Sequence, residues 1–322
     1  MAGIAWCGVD VAKATLMACV VGEGAKPQLE EFGNRAGEQR KLMAWAKRRA
    51  KGSEVRFCIE ATGRHSRAVA ELLDREGEWV SLVNPRRIKG HRVSMGVRNK
   101  NDLGDARVVA DFAQERKPRR WRAPSAAERR LRELMQGLAR LEKSQQQWKL
   151  RQGEPGMDAL VRQSMTAVLK TLTKEMKRLQ QAIAAHLAEN QELAVNERLL
   201  RTITGVGKKT ASWFLATVGD GRRFESAKAV AAFVGLHPCE QESGTSVHGP
   251  SRIARTGGAM LRKVLYMAAQ SAMRHNPVVR AFVERLQAQR RLCKKAILVA
   301  AMHKLVRICY GVCKSQTAFR AA

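Results

Sequence analysis

Four carboxylates in the first third of the chain stand where they could hold divalent cations against a phosphodiester. They are Asp10 in IAWCGVDVAK, Glu60 in RFCIEATG, and Asp102 and Asp105 in KNDLGDAR. Asp10 follows one apolar, strand-like run and Glu60 ends another, so neighbouring strands of one sheet would release both at the same end. Asp102 and Asp105 are three residues apart, the spacing that puts two side chains on one helix face. That helix, packed across the strand ends, would gather four negative charges. Crowded carboxylates take up protons or bind hard cations. Two Mg²⁺ held there would activate an attacking oxygen and stabilise a leaving one, which is the chemistry of phosphoryl transfer. Taken singly, each acid also has an ordinary reading: Asp10 as a turn residue, Asp102 as a helix cap, Asp105 as a surface acid paired with Arg107.

The surrounding charge has the opposite sign. Lys and Arg total 59 against 29 Asp and Glu, a formal net charge of +30 over 322 residues. Such a surplus repels itself and favours a polyanionic partner, nucleic acid or an anionic membrane. No unbroken apolar run reaches the roughly 20 residues of a spanning helix, and the basic residues are spread along the chain, so the expectation is nucleic acid and no membrane. Arg64, Arg67, Arg86, Arg87, Lys89, Arg98 and Lys100 lie close to the acids in sequence, the mixture of signs suited to holding a backbone and cutting it. The N-terminus runs straight into a strand pattern without a charged leader. The seven cysteines form neither a CxxC pair nor a Cys/His zinc spacing. A reduced, cytoplasmic protein without structural zinc is expected.

The elements that must position the acids can be read from periodicity. GIAWCGV, ATLMACVV and QLEEF read as three strands, 36–50 as a helix, EVRFCIE as a strand, RAVAELLDREG as a helix, WVSLVN as a strand and DLGDARVVADFAQER as a helix. Three strands followed by alternating helix and strand make an α/β pattern of the ribonuclease-H type, assigned to residues 1–122. Over 123–192, Leu131, Leu134, Leu138 and Leu141, then Met165, Leu169, Leu172, Met176, Leu179 and Ile183, recur at three/four spacing, with a break at RQGEPGM. This predicts a helical hairpin or coiled-coil arm, either a contact for a partner or part of a bundle within one protomer. Residues 193–322 read as a third, mostly α domain.

Two segments of that third domain bear on nucleic acid. ITGVGKKTA resembles the turn of a helix-hairpin-helix: Gly205 and Gly207 would let backbone N–H groups approach a phosphate, with Lys208 and Lys209 adding charge. An ordinary glycine turn between helices is the other reading. The polar stretch ESGTSVHGPSRIARTGG holds Ser243, Ser246 and Ser251, with Arg252, Arg255 and, just downstream, Arg262. A serine hydroxyl becomes a nucleophile only when positioned and relieved of its proton, and arginines beside it would hold a phosphate and its developing charge. On chemistry alone, a flexible Gly/Ser connection accounts for the same residues.

In order along the chain, GVDVAK, CIEATG, VNP, RNKNDLGDAR, the helical linker, TGVGKKTA, AAFVGL and ESGTSVHGPSRIARTGG followed by LRKVLYMAA resemble one family. It is the DEDD-type insertion-sequence transposases, called Piv/MooV-like or the IS one-ten group. The resemblance implies a RuvC-like N-terminal domain with Asp10, Glu60, Asp102 and Asp105 as its metal-binding catalytic tetrad and Mg²⁺ as cofactor. It also implies a C-terminal transposase domain with a nucleophilic serine, carried to Ser243 because that serine directly follows Glu242, although Ser246 lies three residues on. It further implies donor and target DNA as substrates, a structured noncoding guide RNA as partner, and homodimers or homotetramers in which one protomer's tetrad works with another's serine. The expected reaction is DNA strand exchange through a phosphoserine link. A RuvC-like endonuclease acting by hydrolysis and a non-catalytic nucleic-acid scaffold are the alternatives. Tyr266 and Tyr310, the two tyrosines, lie in apolar helical runs and do not suit a tyrosine recombinase.

Overall fold

The computed structural model describes residues 3–22, 24, 26–96, 102–239, 242–243, 247–248, 252–254, 257–289 and 292–321, and of residues 64, 102, 103, 239, 242, 243, 247, 248 and 252 the backbone alone. Two compact units divide the chain, Met1–Ala123 and Pro124–Ala322.

The first unit is built on one sheet. Strands β1 (Ile4–Val11), β2 (Thr15–Val21) and β3 (Gln28–Gly33) form an antiparallel meander, followed by α1 (Ala36–Arg49), β4 (Glu54–Glu60), α2 (Arg64–Arg75), β5 (Trp79–Val83), α3 (Pro85–Ser94) and α4 (Asp102–Arg116). The strand order is β3-β2-β1-β4-β5, with β4 parallel to β1 and β5 parallel to β4. This mixed sheet is compatible with a ribonuclease-H-like fold.

Strand periodicity of two sorts the side chains onto two faces. Ala5, Cys7, Val9, Phe57 and Ile59 pack with Leu42 and Trp45 of α1 and Val69 and Leu73 of α2. On the other face Trp6, Cys58 and Val83 pack with Ile88 of α3 and Val108, Val109, Phe112 and Ala113 of α4. Met17, Cys19 and Val21 of β2 meet Ala106 and Ala110 of the same helix. Helix α3 is not anticipated by apolar periodicity. It begins instead on its cap, where the Asn84 side chain accepts from the Arg86 N–H at 2.9 Å and Pro85 occupies the first turn.

The second unit is mainly helical. Helices α5 (Ala126–Gln152) and α6 (Ala159–Glu189) form the hairpin expected from the leucine spacing. A capping box starts α5: the Ser125 hydroxyl accepts from the Glu128 N–H at 3.1 Å, and Glu128 accepts from the Ser125 N–H at 2.8 Å. Gln145 donates to Thr173 at 2.8 Å and Gln152 to Thr166 at 2.7 Å, pairs that fix the antiparallel direction. At the hairpin's base Leu131, Met135, Leu138, Ile183 and Leu187 join the core of the unit. Between residues 139 and 182, by contrast, no side chain is fully buried, so the distal half is an arm with a half-buried seam.

The core continues through α7 (Gln191–Arg201), α8 (Lys208–Val218) and α9 (Ala227–Val234). Four two-residue strands follow: β6 (Pro238–Cys239), β7 (Glu242–Ser243), β8 (Val247–His248) and β9 (Arg252–Ile253). Helices α10 (Ala259–His275), α11 (Pro277–Ala288) and α12 (Lys294–Ser315) complete the unit. By length and composition α12 would pass for a membrane span, but ten of its side chains, from Ile297 to Cys313, are buried within the unit.

Candidate active site

Register decides where the first two acids stand. Val9 lies opposite Ile59 on the parallel strands β1 and β4, so Asp10 and Glu60 are the next neighbours at the carboxyl ends, about 4.8 Å apart by strand spacing. Asp10 is still within β1, paired with Met17, rather than in the turn beyond it. Both acids share the parity of Gly8 and Cys58 and therefore project on the face that α4 covers. Helix α4 sits on β1 with almost no clearance: a Cβ on Gly8 would lie 2.3 Å from the Ala110 nitrogen and 2.5 Å from the Ala106 oxygen. Trp6, nearer the start of β1, groups with residues 109, 112 and 113. The helix thus runs antiparallel to the strand, its first turn lying toward the end that carries Asp10 and Glu60.

Asp102 and Asp105 occupy that first turn. Asp102 is the first helical residue rather than the cap before it, and its side chain lies outside the described residues. Asp105 is buried, with 11% of its side chain exposed, and its Oδ1 receives Nη2 of Arg92 from α3 at 2.7 Å. Asp105 is therefore held by Arg92; Arg107, its suspected partner, lies 3.7 Å from Asp111. Four carboxylates are an all-oxygen donor set of the kind a hard divalent cation takes. Sheet and helix bring their backbones to one face and one end. In this arrangement no three His, Cys, Asp or Glu side chains among the described residues stand close enough to share an ion.

The basic residues near the acids divide into two groups. Arg67, Arg86, Arg87 and Lys89 are exposed, with the Arg87 guanidinium 5.1 Å from the centre of the Phe112 ring. Arg98 and Lys100 lie outside the described residues, as does the side chain of Arg64. Neither Arg92 nor Gly8 stands out in the sequence. The one signal for Gly8 is a glycine in the middle of an otherwise bulky strand, which marks a close backbone approach.

The cysteines are packing residues. Burial pushes the Cys58 and Cys19 thiols up to about 12 and raises Cys7 and Cys309 further, so none is a thiolate near neutrality. Cys293 is exposed. Tyr310 is buried and donates to the Phe224 carbonyl at 3.0 Å.

In the second unit, the glycine turn before α8 treats its residues differently. Gly205 has φ of 99°, and a Cβ there would lie 2.9 Å from the Ala272 nitrogen of α10, so packing and backbone conformation both demand glycine. Gly207 is the N-cap of α8 with open space over its Cα, and Lys208 and Lys209 form the first turn. Lys209 is engaged by Glu142 of α5, at 2.7 and 3.0 Å.

Ser243 lies in β7, opposite Val247 of β8, and Arg252 in β9 lies opposite Cys239 of β6. In sequence the β7–β8 pair is nested inside the β6–β9 pair, so the serine sits on a short hairpin inside a clasp. Ser246, Ser251 and Arg255 lie outside the described residues, as do the side chains of Ser243 and Arg252. Arg262, on α10, donates to the Val234 carbonyl at 2.8 Å and the Gly257 carbonyl at 3.3 Å, tying the far end of the clasp to the end of α9.

A mixed sheet compatible with the ribonuclease-H class, with acids at its strand ends, thus precedes a helical unit carrying a serine hairpin. Comparison with known proteins agrees with that division. Residues 7–153 match the model of a DEDD transposase family and residues 197–284 that of the IS116/IS110/IS902 transposase family. Over 314 residues the chain is 31% identical to the pilin gene-inverting protein of Moraxella bovis, covering 97% of this chain and 96% of that one. The pilin gene-inverting protein of Moraxella lacunata gives the same identity and coverage. The transposase for insertion sequence element IS1111A of Coxiella burnetii is 27% identical over 221 residues, 60% of this chain and 59% of its own. The chain belongs to the IS110 family of insertion-sequence transposases, recombinases whose substrate is DNA.

Proposed function

We propose that the chain is an Mg²⁺-dependent recombinase that moves its insertion sequence by strand exchange through a phosphoserine intermediate, guided by a structured noncoding RNA of the element. The observation that carries this reading is the shared face and shared end of Asp10 and Glu60 under the first turn of α4. Mg²⁺ bound by Asp10, Glu60, Asp102 and Asp105 would neutralise phosphate charge and stabilise the oxygens that enter and leave.

In the proposed reaction the Ser243 hydroxyl loses its proton and attacks a phosphodiester of one DNA. The bond to the departing deoxyribose oxygen breaks, and that oxygen leaves as a hydroxyl. A hydroxyl of the second DNA later attacks the phosphoserine, restores a phosphodiester and returns the proton to Ser243. Bond number is conserved, so no nucleotide hydrolysis is needed. Arg252 and Arg255, downstream of the serine in sequence, would hold the phosphate, while Arg262 supports the clasp. Gly207, Lys208 and Lys209 would contact a backbone phosphate at the start of α8, with Gly205 shaping the turn. Base pairing with the guide RNA would choose both DNAs, leaving the protein to read backbone and shape, a division that suits a chain of charge +30. We assign the assembly to a homodimer or homotetramer, with the tetrad of one protomer serving the serine of another, and its place to the bacterial cytoplasm at the nucleoid. The inversion named for the Moraxella relatives would be the same exchange with both sites on one molecule.

Strand exchange in vitro with element-end DNA, target DNA and guide RNA tests the reading. Asp10→Asn, Glu60→Gln and Ser243→Ala should each abolish it. Cutting that survives Ser243→Ala but needs the acids would instead identify a hydrolytic nuclease, and binding that needs none of them a scaffold.

A further inference from the structure

We propose that Arg92 is an exchangeable gate on the acidic site, holding Asp105 until a nucleic-acid phosphate draws the guanidinium away; this rests on the tetrad reading above. The contact itself is close and largely dry. Nη2 of Arg92 lies 2.7 Å from Oδ1 of Asp105, with 19% and 11% of the two side chains exposed. A guanidinium at that distance occupies one of the carboxylate oxygens a metal would need. Its positive charge also opposes a divalent cation arriving at the same group.

The pair nevertheless lacks the character of a finished structural ion pair. Buried ion pairs persist when every remaining donor is satisfied. Here Nε of Arg92 is buried without a hydrogen-bond partner. The preceding residue repeats the pattern: both ring nitrogens of His91 are buried without hydrogen-bond partners, and Glu115 lies 3.6 Å from its Nδ1. Unsatisfied donors therefore lie on the inner side of α3, where His91 faces Phe112 and Glu115 farther along α4 and of the two only Arg92 stands beside a tetrad acid, on a helix whose other basic residues, Arg86, Arg87 and Lys89, are exposed. Nε together with an Nη is the planar fork that takes two oxygens of one phosphate. A backbone phosphate entering the site would satisfy the orphaned Nε, release Asp105 and improve the cation site in one exchange. Metal and DNA binding would then be coupled, and by linkage each would tighten the other. The site would be armed only when substrate is present. Arg92 is a positioning residue in this scheme: it acts through Asp105 and through the orientation of the phosphate.

The test is Mn²⁺ binding to the full chain, followed by electron paramagnetic resonance with and without a short DNA duplex. Without DNA, Arg92→Gln should bind Mn²⁺ about tenfold more tightly than the wild type, because a competing cation is gone. The duplex should tighten Mn²⁺ binding by a similar factor in the wild type and leave Arg92→Gln unchanged. Arg92→Lys keeps the charge but loses the fork, so its metal affinity should match the wild type with the DNA effect lost; it decides the matter if Arg92→Gln does not fold. Weaker or unaltered Mn²⁺ binding in folded Arg92→Gln, or a DNA effect preserved in it, would overturn the gate. Asp105→Asn, measured with the duplex present, distinguishes the two levels: if its Mn²⁺ affinity then equals that of the duplex-bound wild type, the tetrad reading itself fails and the gate with it.

Discussion

Replacing Gly8 by alanine adds one methyl group at the place where α4 lies against β1. That Cβ would lie 2.3 Å from the Ala110 nitrogen, 2.5 Å from the Ala106 oxygen and 2.8 Å from the Ala110 Cα, all of them backbone atoms. No rotamer change relieves such a clash. Ordinary contact begins at 3.4 Å, so α4 has to retreat by about 1.1 Å, an overpacking of the kind that costs about 1–3 kcal/mol. We expect the upper part of that range, about 3 kcal/mol, because helix and strand move as rigid elements. Ala106 adjoins Asp105, so the retreat carries the acids of α4 away from Asp10 and Glu60. A displacement of about 1 Å at reacting groups costs roughly a hundredfold in rate. Urea denaturation followed by circular dichroism gives the first quantity, and strand exchange at a temperature where the variant is folded gives the second. Gly90→Ala is the control: it lies within α3, meets nothing within 4 Å, and should stabilise by up to about 1 kcal/mol. Gly8→Ala with unchanged stability and unchanged strand exchange would refute the close seating of α4 and the site built on it.

Two further outcomes follow from the geometry. Glu142→Gln removes the partner that holds Lys209 at 2.7 Å, so duplex affinity should rise and the slope of log K against log salt should steepen by about 0.9. An unaltered slope would place Lys209 away from phosphates. For the cysteines, a raised pKa means that the thiol keeps its proton at pH 8 and does not react as a thiolate. Iodoacetamide at pH 8 should therefore modify Cys293 readily among the described cysteines, and Cys7, Cys19, Cys58, Cys309 and Cys313 only in urea; rapid native labelling of Cys58 would contradict its burial.

The legible parts of this protein were those in which one physical pattern governs a whole element. The apolar runs GIAWCGV and EVRFCIE are plain because helices cover both faces of the sheet, and the positions of Asp10 and Glu60 at their ends follow from them. The leucine spacing of α5 and α6 is equally plain, since a hairpin seam repeats. Helix α3 was obscure because PRRIKGHRVS buries little more than Ile88 and His91, so its periodicity is faint. Its true signal was the Asn84–Pro85 start, a cap followed by a first-turn proline. The Arg92–Asp105 pair could not be read from spacing at all: the two residues are brought together only by the packing of α3 and α4. Gly205 shows the converse difficulty. A glycine beside lysines suggests a phosphate contact, whereas the neighbour that constrains this one is α10, more than sixty residues away in the chain.

Detection of the proposed phosphoserine link between the chain and its DNA is the most direct test of the reaction proposed for this transposase. Cells carrying the protein with its native flanking DNA would be lysed in SDS and probed for a protein–DNA adduct, comparing wild type with Ser243→Ala and Asp102→Asn. An SDS-resistant adduct in the wild type that disappears in Ser243→Ala is the predicted result. Recombination or cutting that proceeds without any adduct and survives Ser243→Ala would contradict it.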